Sequence, residues 1–143
     1  MMQFWANIHI PHDYKPDGNV YLHVHWFTTG TTAGQVCRWG FEFITVKGYG
    51  QSTASVIGAT TTVYVEQTAT ATALQHLIAE TSVISLTNIE PDAVILCRVF
   101  RDAAHANDTL SSVAYVLKFD GHIEVDRIAT KNRNITDTGS FYV

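Results

Sequence analysis

Hydrophobic and polar residues alternate with a period of two along much of this chain, which is the pattern of β-strands with one buried face. Segment 19–27 shows the pattern most clearly. Its two faces are Val20, Leu22, Val24 and Trp26 on one side, and Tyr21, His23, His25 and Phe27 on the other. The apolar set is expected to face the core, which turns the two histidines toward a second surface.

Further strands are predicted where β-branched and aromatic residues are concentrated between turn residues. They are 35–47, 60–67, 83–87, 93–101, 112–119 and 122–128, and residues 4–8 are also strand-like. Alternation in 112–119 predicts a single face of Val113, Tyr115, Leu117 and Phe119. Gly121 is expected to make the turn into the last strand. Segment 71–80 has some helical spacing, but it is short and set among threonines and β-branched residues, so we expect extended structure with at most a single turn.

These elements predict an all-β fold in a single domain, a jelly-roll-like β-sandwich of about eight or nine strands spanning residues 1–128. Residues 129–143 are predicted to form a polar C-terminal tail that wraps a neighbouring subunit or is loosely held. A chain of 143 residues can bury a core without disulfides. Cys37 and Cys97 lie in apolar strand patterns that are typical of buried free thiols.

Composition narrows the classes of partner. The chain is 46% hydrophobic and 15% charged, which indicates an ordered fold and a surface that a partner partly covers. The net charge of −4 gives no general footprint for nucleic acid. No apolar run reaches the ~20 residues of a membrane span, and the N-terminus lacks the basic flank and apolar stretch of a signal peptide. We therefore expect neither a nucleic-acid nor a membrane partner.

The histidines are the first candidate for chemistry. His23 and His25 are two residues apart on one strand face, where imidazoles can share a metal ion, with His9, His12 or His122 as the third ligand. Cupin-like metalloenzymes use such a pair, but they also need a glutamate a few residues later, and Phe27-Thr28-Thr29-Gly30 follows here. A catalytic metal, a structural metal on a symmetry axis, and hydrogen-bonded or interface histidines all stay open. We favour the last and predict no catalytic residue, metal or cofactor.

A polar loop between two strong strands supplies the second candidate site. Its residues are Arg98, Arg101, Asp102 and Asp108. One interpretation is a contact with a ligand or partner. The other, which we prefer, is an internal ion pair together with side-chain bonds to the backbone that hold the loop in place.

Aromatic side chains outside the predicted core face are a third feature. They are Tyr14, Tyr21, Phe27 and Tyr49. Such residues can stack on sugar rings, as in lectin-like sandwiches, or can form subunit interfaces, where aromatic residues are enriched.

Several short strings follow one another in a characteristic order. They are Pro11-His12-Asp13-Tyr14-Lys15, His23-Val24-His25-Trp26, Arg38-Trp39-Gly40-Phe41-Glu42, Cys97-Arg98-Val99-Phe100-Arg101-Asp102 and Asp108-Thr109. Over residues 4 to about 126 the chain resembles a family of small β-rich proteins of tailed-bacteriophage virions. The resemblance implies a fibre or spike module, or a capsid decoration protein, that assembles as a homotrimer. It implies no catalytic residues, and segment 128–143 departs from the family pattern.

We therefore expect a non-enzymatic virion protein that is assembled in the cytoplasm of a bacterial host. Its expected partners are sister subunits, other capsid or tail proteins and, in a receptor-binding role, a host surface glycan. The predicted subunit contact consists of Tyr21, His23, His25 and Phe27. The alternatives are a carbohydrate-binding, lectin-like receptor module and, less favoured, a cupin-like metal-dependent enzyme.

Overall fold

The structure is a computed structural model that describes residues 2–15, 17–48, 50–51, 57–86 and 88–125. Eight β-strands occur in these residues. They are β1 (Gln3–His9), β2 (Asn19–Thr28), β3 (Val36–Val46), β4 (Thr61–Thr68), β5 (Leu77–Glu80), β6 (Ile84–Ser85), β7 (Val94–Arg101) and β8 (Ala114–Ile123). This part of the chain contains no helix with the length and apolar character needed to cross a lipid bilayer.

The strands form two antiparallel sheets. The first sheet has the order β1–β7–β3–β4. In the second sheet β2 is central, with β8 along one side and β5 followed by β6 along the other. Every connection except β3–β4 and β5–β6 crosses from one sheet to the other. The predicted all-β, sandwich-like fold is confirmed, and segment 71–80 contributes the extended strand β5.

The core lies between the two sheets. The predicted inner face of β2 is fully buried, and it packs against buried residues of β3 and β7. Trp26 and Trp39 meet edge to face across this interface, with ring centroids 5.8 Å apart. Cys37 and Cys97 are buried free thiols, as predicted. Because each sheet hides one apolar face from water, the hydrophobic effect stabilises the pair of sheets as a unit.

Gly121 is not the turn that the sequence predicted. It lies within β8 and pairs with Leu22 of β2. A Cβ at this position would stand 2.8 Å from Cδ1 of Ile8 and 2.9 Å from the carbonyl oxygen of Tyr21. Glycine is therefore required by the close approach of neighbouring groups, not by a change of chain direction.

A β-bulge in β8 also overturns the single face predicted for segment 112–119. The pairing passes from His25–Lys118 to Trp26–Val116, so Leu117 is an extra residue. An extra residue inverts the alternation beyond it. Phe119 accordingly packs against the core, while Leu117 is exposed.

The C-terminal predictions fall partly outside the described residues. His122 and Ile123 belong to β8 and not to a separate strand, and Val125 forms a single bridge with Tyr14. Residues 126–128 and the tail 129–143 lie outside the described residues.

Candidate functional site

The surface of the second sheet that faces away from the core is the candidate site, and we call it the outer face. Residues directly opposite each other in an antiparallel pair share a face, so the strand register places groups of β5 and β8 beside the predicted residues of β2. The outer face consists of Tyr21, His23, His25 and Phe27 of β2, Ile78 and Glu80 of β5, and Tyr115, Lys118, Asp120 and His122 of β8.

One end of the outer face is apolar. Phe27 lies opposite Tyr115, and the two rings stack with centroids 5.0 Å apart. Tyr115 is 43% exposed and Leu117 is 57% exposed, and Val113 and Ile78 are exposed as well. In the described part of the chain β8 pairs only with β2, so its other side is a free strand edge. An apolar strand edge of this kind is suited to contact with another polypeptide.

The other end of the outer face gathers histidines and carboxylates around His23. Although it lies on the outer side of the sheet, His23 is only 3% exposed, because its neighbours cover it. Its Nε2 is in direct contact with Oδ1 of Asp120, and its Nδ1 lies 3.5 Å from Oε2 of Glu80. Nδ1 of His122 lies 3.2 Å from the same Glu80 oxygen. The His23 and His122 rings are 4.5 Å apart, so these four residues form one compact cluster.

His25 extends this cluster, since its ring centroid lies 4.9 Å from that of His23. Its Nε2 lies 3.3 Å from Oδ1 of Asp120, and its Nδ1 lies 2.7 Å from Nε2 of His76. The other oxygen of Asp120 contacts the ammonium group of Lys118. Asp120 is thus surrounded by nitrogen groups from three side chains, those of His23, His25 and Lys118.

The electrostatic environment favours neutral His23 beside ionised Asp120. Burial lowers the pKa of His23 because desolvation disfavours the imidazolium, and this outweighs the opposite influence of Asp120. Burial acts to raise the pKa of Asp120, but the hydrogen bond and charge of Lys118, with the attraction of the protonated form of His23, outweigh burial and lower that pKa. A neutral imidazole beside a carboxylate is an arrangement that can bind a cation.

Of the three histidines considered as a third metal ligand, the structure brings His122 to His23. His9 and His12 contact Asp92 instead, each with Nε2 3.0 Å from Oδ1. They therefore form a separate pair near the end of β1, which belongs to the first sheet.

The carboxylates of the cluster are the functional groups that sequence reasoning missed. Glu80 comes from β5 and Asp120 from β8, and each lies directly opposite His23. A local motif could not reveal them, because neither follows the histidine pair closely in the sequence. The signal that would have found them is the pairing register of the three strands.

The predicted loop residues are engaged within the chain. Arg101 binds Asp108 through two hydrogen bonds, 2.6 Å from Nη2 to Oδ1 and 3.0 Å from Nε to Oδ2, and the Asp108 side chain is almost fully buried. Asp102 accepts a hydrogen bond from Nε of Arg38 at 3.2 Å. Arg98 lies on β7 and binds a carboxylate of the adjacent β3. These contacts correspond to the internal ion pairing that we preferred for this loop.

The aromatic residues do not form one platform. Tyr14 was expected to be exposed, but it is buried in the core, where its hydroxyl donates to the carbonyl oxygen of Gly18 at 2.9 Å. Tyr49 lies outside the described residues. The outer face carries the stacked pair of Phe27 and Tyr115 at one end and the half-buried Tyr21, opposite His122, toward the other.

Comparisons of the chain with protein families, with curated proteins and with solved structures find no match. What the chain does must be inferred from its own residues, chiefly those of the outer face.

Proposed function

We propose that this chain is a non-enzymatic structural protein of a tailed-bacteriophage virion, a fibre or spike module or a capsid decoration protein, that works by self-association as a homotrimer. The proposed contact surface is the apolar end of the outer face together with the free edge of β8. The single observation that carries the proposal of self-association is this exposed apolar edge. The short sequence strings that resemble a family of virion proteins support the proposed location in the phage particle.

The edge of β8 has the properties of a surface that a partner covers. The strand is ten residues long, and its exposed side chains near one end are Tyr115 and Leu117. Soluble proteins usually protect a free edge with charges, proline or a short strand, because an open edge invites pairing with other chains. A second copy that covers this end would remove apolar area from water and provide partners for the backbone groups of the edge.

The predicted contact residues of β2 have different roles in this proposal. Phe27 lies opposite Tyr115 on the adjacent strand, and its ring holds the Tyr115 ring in place by stacking. His25 and Tyr21 keep part of their surface; His25 lies nearer the contact, whereas Tyr21 lies opposite His122 toward the other end of the outer face. His23 is covered by its own chain, so it shapes the face and does not itself touch the partner.

A threefold assembly is consistent with a contact between two different surfaces. When a strand edge binds a different surface on the next copy, the contact repeats and closes into a ring if the rotation permits. The low charged fraction of 15% also fits a chain that is partly covered in its working form.

Sedimentation equilibrium of the full chain tests the self-association. We expect the wild-type chain to be a trimer and the Tyr115→Glu/Leu117→Lys variant to be a monomer with unchanged circular dichroism. Trp5→Lys is the matched control, since Trp5 is a 72% exposed apolar residue on β1 of the other sheet. The control should remain a trimer. A monomeric wild-type chain, or a trimer that only Trp5→Lys dissociates, would contradict the proposal.

Mass spectrometry of purified virions tests the location separately. The chain is expected in stoichiometric amounts with the capsid or tail proteins. Its absence from intact particles would overturn the virion role, whatever the oligomeric state of the isolated chain.

A further inference from the structure

His23 carries a buried polar atom that has no hydrogen-bond partner among the described residues. The atom is Nδ1, and only 3% of the residue is exposed to solvent. Buried polar atoms are almost always hydrogen-bonded, so an exception calls for a physical explanation. Nδ1 faces Oε2 of Glu80, 3.5 Å away, and Nδ1 of the neighbouring His122 approaches the same oxygen at 3.2 Å.

The contact with Asp120 determines which nitrogen of His23 holds the proton. Nε2 is in direct contact with Oδ1 of Asp120, and because a carboxylate oxygen can only accept, the proton of a neutral His23 is assigned to Nε2. Its Nδ1 then presents a lone pair to the Glu80 carboxylate, and two acceptors at this separation repel each other unless a cation lies between them.

We propose that Nδ1 of His23, Nδ1 of His122 and Oε2 of Glu80 bind a divalent zinc ion, with a fourth position open to water. Zinc bonds of about 2.0–2.2 Å in tetrahedral geometry place neighbouring ligand atoms roughly 3.3–3.5 Å apart. The Glu80 oxygen lies 3.5 Å from the His23 nitrogen and 3.2 Å from the His122 nitrogen. All three ligand atoms lie within 4.8 Å of one another, and the exposed His122 ring can rotate to close the remaining gap.

The chemistry of the surrounding groups favours zinc. Two imidazoles and one carboxylate are a ligand set that zinc accepts readily, and three protein ligands leave a position for water. Asp120 holds the second ring nitrogen of His23, which orients the ring and increases its basicity toward the metal. The ligands come from three adjacent strands, β2, β5 and β8, so the sheet fixes their spacing.

A second set of groups, His23, His25 and Asp120, also lies within 4.8 Å but fits an ion less well. Direct contact between Asp120 and Nε2 of His23 leaves no room for an ion between those two atoms. The other oxygen of Asp120 already contacts the ammonium group of Lys118. Asp120 is therefore assigned to orienting His23, and His25 is not a ligand.

Zinc titration of the full chain tests this inference. The protein is produced without an affinity tag, stripped with a chelator, and titrated with zinc chloride in a calorimeter, with elemental analysis after gel filtration. We expect one zinc ion per chain. His122→Ala and Glu80→Gln should each weaken binding at least about 100-fold, because a lost ligand should cost more than the 10- to 100-fold typical of an outer partner. Both side chains are substantially exposed, so both variants should fold.

Three further variants distinguish the proposed ligands from their neighbours. Asp120→Asn should weaken zinc binding roughly 10- to 100-fold as an outer partner, and His25→Ala should leave it unchanged. His9→Ala is the matched control, since His9 is also an exposed strand histidine that contacts an aspartate. Absence of stoichiometric zinc, or zinc lost in His25→Ala or His9→Ala but retained in His122→Ala, would overturn the inference. The result does not depend on whether the chain forms a trimer.

Discussion

At the scale of single residues, Cys37 and Cys97 show how burial in the sandwich changes chemistry. Both thiols are buried between the sheets, and burial raises the pKa of each to about 12 from a usual value of 9.0. Desolvation disfavours the charged thiolate, which is the nucleophilic form. The two residues therefore behave as small apolar side chains in the folded protein.

The folded chain is expected not to react with Ellman's reagent near neutral pH, whereas the unfolded chain should release two equivalents of thiol. Below the unfolded pKa of 9.0 both thiols are protonated in both states, so they add no pH dependence. Above it the unfolded chain loses protons that the folded chain keeps, so the free energy of unfolding should fall from about pH 9 toward pH 12. Urea unfolding as a function of pH measures this fall.

A Cys37→Ala/Cys97→Ala variant serves as the control for the pH dependence. It should be less stable at every pH, because two buried side chains become smaller, yet it should lack the part of the alkaline decline that the thiols cause. Rapid labelling of the native wild-type chain would contradict the burial of both groups.

The histidine pair could be predicted from the sequence, but its partners could not. That His23 and His25 share a face follows from the strand period alone, since the spacing is local. That Glu80 and Asp120 lie opposite His23 depends on the register of strands far apart in the sequence. Register is set by tertiary packing, so the sequence alone gives these acids no role and leaves the candidate metal site incomplete.

At the scale of secondary-structure elements, the alternation of apolar and polar residues predicts the faces of β2 correctly but not those of β8. The inner face of β2 carries large apolar residues without interruption, and its prediction is confirmed. β8 contains an extra residue at Leu117 that no local feature of the sequence marks. Its Gly121 resembles a turn signal, although it serves a close approach to Tyr21. Both departures arise from pairing with β2.

Gly121→Ala is expected to destabilise the protein by about 1–3 kcal/mol, as overpacking in a close-packed site typically does. The added methyl group would meet the carbonyl oxygen of Tyr21 at 2.9 Å, and a backbone atom within a sheet cannot move aside cheaply. Gly48→Ala is the control, because its Cβ would meet nothing closer than Oε1 of Gln51 at 3.7 Å, so we expect a change within roughly 0.5 kcal/mol. Urea unfolding measures both. Equal effects would show that Gly121 is not closely packed.

At the scale of the whole molecule, the two sheets have different tasks. The first sheet contributes buried aromatic residues and carries the ion pairs that hold the polar loop. The second sheet contributes the inner face of β2 and also presents the outer face, with its apolar edge and its histidine cluster. The proposed zinc ligands lie on the four-residue strand β5, the central strand β2 and the edge strand β8, so one ion would join all three.

Zinc should therefore stabilise the whole domain and not only the site. A ligand that binds the folded chain alone raises the free energy of unfolding by about 2.7 kcal/mol at 100 times its dissociation constant. For a domain of this size that corresponds to a rise in Tm of roughly 5–15 °C. Calorimetry of stripped wild-type protein with and without zinc measures the rise, and His122→Ala should show almost none. Because the three ligands come together only through the pairing of β2 with β5 and β8, zinc bound tightly without a rise in Tm would mean that the unfolded chain binds it equally well. The ligands would then not be the ones that the sheet assembles.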